Sequence, residues 1–327
     1  MSLPLPAWAG FLTLIACLLA LDLGVFHRRA EAVSARSALR WVGVWFATAM
    51  LFNVAIYLGY EHHVFGLGLA PGMTGREAAT SFLAGYLVEQ SLSLDNIFVM
   101  ALVFRFFQVP DRYQHRVLFW GILGAVVMRI SMILAGAALL SHFKEATYLF
   151  GALLLVTAIK MGLSRSEEAF DPTQSRVVRL VRRLVPISPE LDGQRFFTRA
   201  HGTLMATPLL LVLLVVEVTD VVFAVDSIPA IFGITTDPFL VFTSNIFALL
   251  GLRSLYFALA SLLSRFVYLK HSLVVVLGFV GLKMMVSGHL HVAAWVSLLV
   301  IVAVLGAGVL ASVVFPPKPT KDLLAAE

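Results

Sequence analysis

The sequence predicts an all-α polytopic membrane protein with about nine transmembrane helices, and three observations lead there. Of its 327 residues, 60% are hydrophobic and 13% charged, where soluble domains carry roughly 25% charged residues. Mean hydropathy is +0.92. The apolar residues fall into runs of about 20, the length a helix needs to cross the hydrocarbon core. The net charge of +5 collects in loops, where it suits an anionic membrane surface; no nucleic-acid-binding motif accompanies it. A single cysteine, Cys17, excludes a disulfide framework and a thiolate metal site. The opening Met1-Ser2-Leu3-Pro4 lacks the basic stretch of a cleaved signal, so the first apolar run is expected to stay as a span.

In chain order the runs lie near residues 7–26, 41–60, 78–107, 117–140, 146–163, 203–232, 239–263, 272–287 and 292–315. The third and sixth, about 30 residues each, are too long for a straight perpendicular span and must tilt, break or extend beyond the membrane. Arg28, Arg29, Arg36 and Arg40 fill the first loop, and Arg105, Arg112 and Arg116 the third. Arg165 to Arg199 lie in the fifth, Arg265 and Lys270 in the seventh, Lys318 and Lys321 in the tail. The even loops hold little beyond Arg76 and Lys144. Basic loops stay in the cytoplasm, which puts the N-terminus outside and the C-terminus inside. The fifth loop, about 164–202, is the one sizeable polar segment. Its Val177, Leu180, Val181 and Leu184 share a helical face, with Arg176, Arg179, Arg182 and Arg183 around the rest. That pattern fits a helix lying on an anionic surface or a linker that enforces topology. Pro186 and Pro189 end it.

Two stretches carry the chemistry. Glu89-Gln90-Ser91-Leu92-Ser93-Leu94-Asp95-Asn96-Ile97 and Asp220-Val221-Val222-Phe223-Ala224-Val225-Asp226-Ser227-Ile228 both read acid, five residues, aspartate, a small polar residue and isoleucine. Each lies mid-run, where an ionised carboxylate costs about 2.5–3.5 kcal/mol on insertion scales, so such acids mark function. Glu217 adds another carboxylate. Aligning Asp95 with Asp226 also pairs Arg129 with Arg253 and Lys160 with Lys283. Runs three to five therefore resemble runs six to eight. Three spans is an odd number, so the second copy is inverted, as in transporters with a polar site near the midplane. The repeats cover about 78–163 and 203–287 of a single transmembrane domain, 1–327.

On a continuous helix six residues turn about 240° and rise about 9 Å, so Glu89 and Asp95 point about 120° apart, as do Asp220 and Asp226. Glu217 and Asp220 share a face. Convergence on one ion needs either an unwound helix or acids of both repeats meeting across the pseudo-axis. Pro229, three residues past Asp226, points to a broken sixth helix. Ser91, Ser93, Asp95 and Asn96 compete for backbone hydrogen bonds and open the same route in the third.

Carboxylate, hydroxyl and amide oxygens suit Mg²⁺, Ca²⁺ or Mn²⁺ over Zn²⁺ or Cu⁺. Candidate metal ligands are Glu89, Asp95, Glu217, Asp220 and Asp226, with Asn96, Ser227 and Asn245 as further oxygens. Asn245 serves equally well as a helix–helix hydrogen bond, and Met100 reads as core. Arg129, Arg253, Lys160 and Lys283 are candidate counter-ions or gates; the plainer reading is structural charge balance or snorkelling. Asp22 reads as an interfacial partner of Arg28. His62, His63, His142, His289 and His291 read as interfacial histidines rather than metal ligands or pH sensors. Carboxylates in excess of one divalent ion leave room for proton antiport.

Glu89 to Val99, Val216 through Ile231 and Thr243 to Arg253 make the chain resemble the TerC family of membrane proteins. That family lies within the LysE-type transporter superfamily, and the resemblance is strongest to its Alx branch of manganese exporters. Pro189 to Phe197 looks familial too, the resemblance spans nearly the whole chain, and no motif position departs from it. It implies that Mn²⁺ is the transported substrate, exported across a bacterial inner membrane with no organic cofactor. It assigns the metal site to Glu89, Asp95, Glu217, Asp220 and Asp226. The historical label of tellurite resistance fits less well, since an oxyanion wants converging cations or helix N-termini. Some family members are linked to metal delivery to secreted enzymes, which brings in the protein-export machinery as a partner.

The function expected is export of divalent cations by alternating access, coupled to protons. The rival is a membrane assembly or metal-delivery factor without net transport. An enzyme would need a nucleophile–base pair or cofactor motif, and neither is present. Expected partners are the lipid bilayer, a divalent cation and protons, not nucleic acid.

Overall fold

The computed structural model describes residues 5–26, 35–69, 72–143, 145–163, 186–188, 191–200, 203–259, 268–287 and 292–315. Among them, nine long helices follow the nine apolar runs. They are α1 (Leu5–Phe26), α2 (Ala35–Glu61), α3 (Gly75–Phe106), α4 (Asp111–His142), α5 (Ala146–Leu163), α6 (Pro208–Phe232), α7 (Pro238–Leu259), α8 (Leu269–Val286) and α9 (Ala294–Val314). Seven, α2 to α7 and α9, are long and apolar enough to cross a membrane; the apolar stretches of α1 and α8 are shorter, Leu5–Leu21 and His271–Val286. The chain is a polytopic helical membrane protein, the architecture that satisfies backbone polar groups inside hydrocarbon.

Helix ends follow local chemistry. The Thr74 hydroxyl accepts from the Glu77 amide and the Glu77 carboxylate accepts from the Thr74 amide at 3.0 Å, a capping box that starts α3. Past Phe107, Gln108 at φ 50° and Pro110 turn the chain into α4. This helix begins six residues before its apolar run because Asp111, in its first turn, suits the positive end of the helix dipole. With 32 residues each, α3 and α4 are about 48 Å long, well beyond the hydrocarbon thickness.

Two expectations about the sixth run are corrected. It does not begin near 203. Thr203–Ala206 (β2) pairs antiparallel with Phe197–Ala200 (β1), so the fold carries one short hairpin besides its helices. α6 starts at Pro208 behind the N-cap Thr207, a position where proline's missing amide is no loss. Nor is the sixth helix broken. α6 is continuous through Pro229, because this proline sits in the last turn, and the Gly233 amide closes the helix on its carbonyl at 2.9 Å. Only one helical hydrogen bond is forfeited there. α3 is continuous as well. The basic stretch 164–185, His289, His291 and the side chain of Asp22 lie outside the described residues.

The core is built on α7, whose apolar window is buried throughout, as expected of a helix apolar on every side. α2, α3 and α4 wrap it. Trp8 and Phe11 of α1 pack onto Phe239 and Phe242. α5 runs along α8, and their closest approach sets Gly151 against Gly281. A Cβ on either glycine would lie 3.0 Å from the other's carbonyl oxygen, so small residues are what permit the contact. α3 packs on α7 and α4 on α6; α5 meets α6 and α8 meets α3.

Candidate functional site

Four helices converge on Arg129, which is fully buried in the middle of α4. Its Nε donates to Asp220 Oδ2 at 3.2 Å and its Nη2 to Asp220 Oδ1 at 3.0 Å, both on α6. Its Nη1 donates to Glu89 Oε1 of α3 and, at 3.1 Å, to Asn245 Oδ1 of α7. Glu89 and Asn245 are 0% exposed and Asp220 4%, so this ion-pair cluster is wholly out of solvent. Removing one partner from such a cluster leaves an uncompensated charge.

Seven residues make nearly two full helical turns, and that spacing builds the rest of the site. Asn96 lies seven residues after Glu89 and Ser227 seven after Asp220, so each acid shares a face with one small polar residue. The contacts between the two faces are crossed. Asn96 Nδ2 donates to Asp220 Oδ1 at 3.5 Å, and the Ser227 hydroxyl lies near Glu89 without a hydrogen-bond partner among the described residues. α3 and α6 are therefore antiparallel here. The sequence left two routes open, unwinding or acids meeting across a pseudo-axis; neither helix is unwound, and Glu89 and Asp220 meet on Arg129. Glu89 Oε2 and Asn96 Oδ1, both buried, have no hydrogen-bond partner among the described residues.

The remaining candidates divide. The carboxylate of Glu217, one turn before Asp220, packs against α4 at Gly124, where a Cβ would come within 2.0 Å of Oε1. Asp226 points the other way, to α5, and its Oδ1 accepts from Thr157 Oγ1 at 2.9 Å. Lys160 lies one turn beyond Thr157, exposed and without an ion pair to Asp226 among the described residues. Lys283 donates to Ser297 Oγ of α9 at 3.0 Å, tying α8 to α9 rather than to an acid. Arg253 is buried in α7, eight residues and about 12 Å of helical rise from Asn245. The side chain of Asp95 lies outside the described residues. Among the described residues no three His, Cys, Asp or Glu side chains group as a metal site, because Glu89 and Asp220 flank a guanidinium while Asp226 faces away.

A crevice too narrow for a water molecule leads from Asn96 and Asp220 between α3 and α6, past Met100 and Thr219 to Val103. Met100, buried in the hydrophobic core as read from sequence, also borders it.

Residues 74–320 match the model of the integral membrane protein TerC family. The chain belongs to that family. It is 47% identical over 316 residues to an uncharacterised membrane protein, STKORF319, of Myxococcus xanthus, covering 96% of this chain and 94% of the relative. It is 44% identical over 299 residues to Alx of Escherichia coli (strain K12), whose name offers it as a membrane-bound redox modulator; 91% of each chain is covered. An uncharacterised membrane protein of Rickettsia felis is 39% identical over 308 residues, 94% of this chain and 97% of the relative. No solved structure matches. The family match takes in α3 to α9, and so every residue of this TerC-family cluster.

Sequence reasoning missed Thr157 and Gly124. A threonine in an apolar helix ordinarily bonds its own preceding turn, and nothing local marks Thr157 as a partner of Asp226. Gly124 lies five residues before Arg129, about 140° around the helix, so its spacing did not mark it either.

Proposed function

We propose that this TerC-family protein exports divalent cations, Mn²⁺ foremost, from the cytoplasm across the bacterial inner membrane, by alternating access and with protons moving in exchange. In this reading all nine helices span, with the N-terminus outside and the C-terminus inside, as the alternation of basic loops requires. α3 to α5 and α6 to α8 are then inverted repeats. The crossed contacts carry the reading. Glu89 and Asp220, equivalent in the repeat alignment, meet on one side chain, Asn96 donates across to Asp220, and Ser227 lies near Glu89. Helix packing supports it, because α3 on α7 has its mate in α6 on α4 and α5 on α6 its mate in α8 on α3. Polar sites between inverted repeats at the midplane are a transporter arrangement.

The donors suit the cargo. Carboxylate oxygens of Glu89 and Asp220 and the amide oxygen of Asn96 are hard ligands, and the Met100 thioether in the crevice adds a softer one that Mn²⁺ tolerates better than Mg²⁺. Asp95, Glu217 and Asp226 flank this centre along the same two helices. The redox-modulator name of the Alx relatives would ask for a dithiol or a redox cofactor, and this chain has the single Cys17. Metal handling accounts for the buried acids.

The test is flux in proteoliposomes, metal by metal, at two pH values. Wild type is expected to move Mn²⁺ in a manner that follows an imposed pH gradient, and Asp220→Asn and Glu89→Gln to abolish it. Undiminished Mn²⁺ flux in folded Asp220→Asn protein overturns the reading. Loss of cellular function through hairpin or loop changes, with the acids dispensable, would favour an assembly or metal-delivery factor instead.

A further inference from the structure

Among the described residues, Arg129 is where both acid-bearing helices offer a carboxylate to the same group. Two acids and one guanidinium sum to a charge of −1 at the centre. Buried atoms also reach beyond the guanidinium, since Glu89 Oε2 and Asn96 Oδ1 have no partner among the described residues. An ion that takes both carboxylates must displace Arg129 from four directional hydrogen bonds, two to Asp220 and one each to Glu89 and Asn245.

Oxygen ligands alone do not reject Na⁺ or K⁺, which bind the same carboxylate and amide groups. The competitor already in place does. A monovalent ion exchanges one positive charge for another and gives up a bidentate, charge-assisted grip, so exchange runs against it. A divalent ion brings one further unit of charge within a few Å of two desolvated carboxylates, where Coulomb energies are several times those in water. We infer that Arg129 is a tethered competitor that sets a valence threshold, so that Glu89 and Asp220 release it to a divalent cation and not to Na⁺ or K⁺. This rests on the divalent-cation reading above and adds the means of its selectivity.

The test is Mn²⁺ binding by purified protein in detergent, read as loss of the free-Mn²⁺ electron paramagnetic resonance signal. Na⁺ replaces N-methylglucamine at constant ionic strength, which holds screening fixed. Wild type is expected to bind Mn²⁺ with no response to Na⁺. Arg129→Gln combined with Glu89→Gln keeps the local charge at −1 but removes the competitor, and Na⁺ is expected to weaken its apparent Mn²⁺ affinity by about tenfold or more. Arg129→Lys keeps the positive charge and loses the fork. It is expected to bind Mn²⁺ about tenfold more tightly than wild type and to stay indifferent to Na⁺, and it decides the matter if the glutamine variant does not fold. A Na⁺-indifferent double variant, or a Na⁺-sensitive Arg129→Lys, overturns the valence filter while leaving the transport reading standing. Wild type that binds no divalent cation overturns both.

Discussion

Arg129 holds Asp220 in a fork, Nε to Oδ2 at 3.2 Å and Nη2 to Oδ1 at 3.0 Å, and so ties α4 to α6 inside the membrane. The planar guanidinium matches a carboxylate in this way and an ammonium does not. With both side chains buried, the fork is a structural joint as well as a candidate gate, and the two roles separate by substitution.

Asp220→Asn keeps the shape and removes the charge, leaving Arg129 with Glu89 as its one carboxylate in the cluster. Breaking a buried pair on one side costs about 3–5 kcal/mol, and thermal unfolding in detergent is expected to show it as a clear fall in Tm. Asn96→Ala loses only a long contact of 3.5 Å, worth about 1 kcal/mol or less. Equal losses from the two would mean that the ion pair is not what holds the cluster.

Much of this was legible from sequence, for identifiable reasons. Bilayer thickness imposes a length on each span, so each apolar run reappears as a helix among the described residues, seven of them long and apolar enough to cross a membrane. Matching Asp95 to Asp226 also paired Glu89 with Asp220, and these two meet. That they meet on Arg129 depends on how α4 packs against α6 and α7, which no local pattern encodes. Arg253 shows the limit: the sequence offered it as a counter-ion alongside Arg129, and it lies buried in α7, about 12 Å of helical rise beyond Asn245. The hairpin was hidden because Thr203-Leu204-Met205-Ala206 is apolar enough to read as helix, though Pro208 marked the true first turn. Pro229 misled because its effect depends on distance to the helix end, and Gly233 ends α6 one turn later.

Gly124→Ala tests whether the position of Glu217 matters. The new methyl would lie 2.0 Å from Oε1, so the carboxylate must swing off α4, at a strain cost of about 1–3 kcal/mol. Mn²⁺ flux per folded molecule is expected to fall several-fold. Gly10→Ala in α1, with nothing within 4 Å of its Cβ, is the control and is expected to match wild type. Full activity in Gly124→Ala would remove Glu217 from the ion path.

Thr157→Val deletes the donor to Asp226 Oδ1 while keeping the volume. The hydrogen bond of 2.9 Å joins α5 to α6, and losing it from a partly buried carboxylate costs about 1–3 kcal/mol. Thr13 and Thr48, whose hydroxyls bond their own helix at 2.8 Å, are the comparison, and Thr13→Val and Thr48→Val are expected to change Tm little. If all three behave alike, Asp226 does not depend on α5 for its position.

The last prediction concerns pH and the turn between α6 and α7. Asp237 Oδ1 accepts from the Phe239 amide at 2.8 Å, capping α7, and Oδ2 accepts from the Tyr60 hydroxyl of α2 at 2.7 Å. Burial pushes the Asp237 carboxyl above the usual carboxylate range, and the bonds from Tyr60, Phe239 and Leu240 oppose this only in part. A folded-state value above the unfolded one means that the folded protein binds the proton more tightly. The associated stability is fully present below the ordinary value of about 3.9 and is lost as pH rises through the raised one. Wild-type Tm is therefore expected to carry a component that declines with rising pH across the acidic range. Asp237→Asn, which can still cap α7 through its carbonyl and donate to the Tyr60 oxygen, is expected to flatten that component and leave the fold intact. Tyr60→Phe removes a bond that favours the ionised form, so it should move the decline to higher pH. A Tm profile unchanged by Asp237→Asn would assign the acidic dependence to the membrane-buried carboxylates instead.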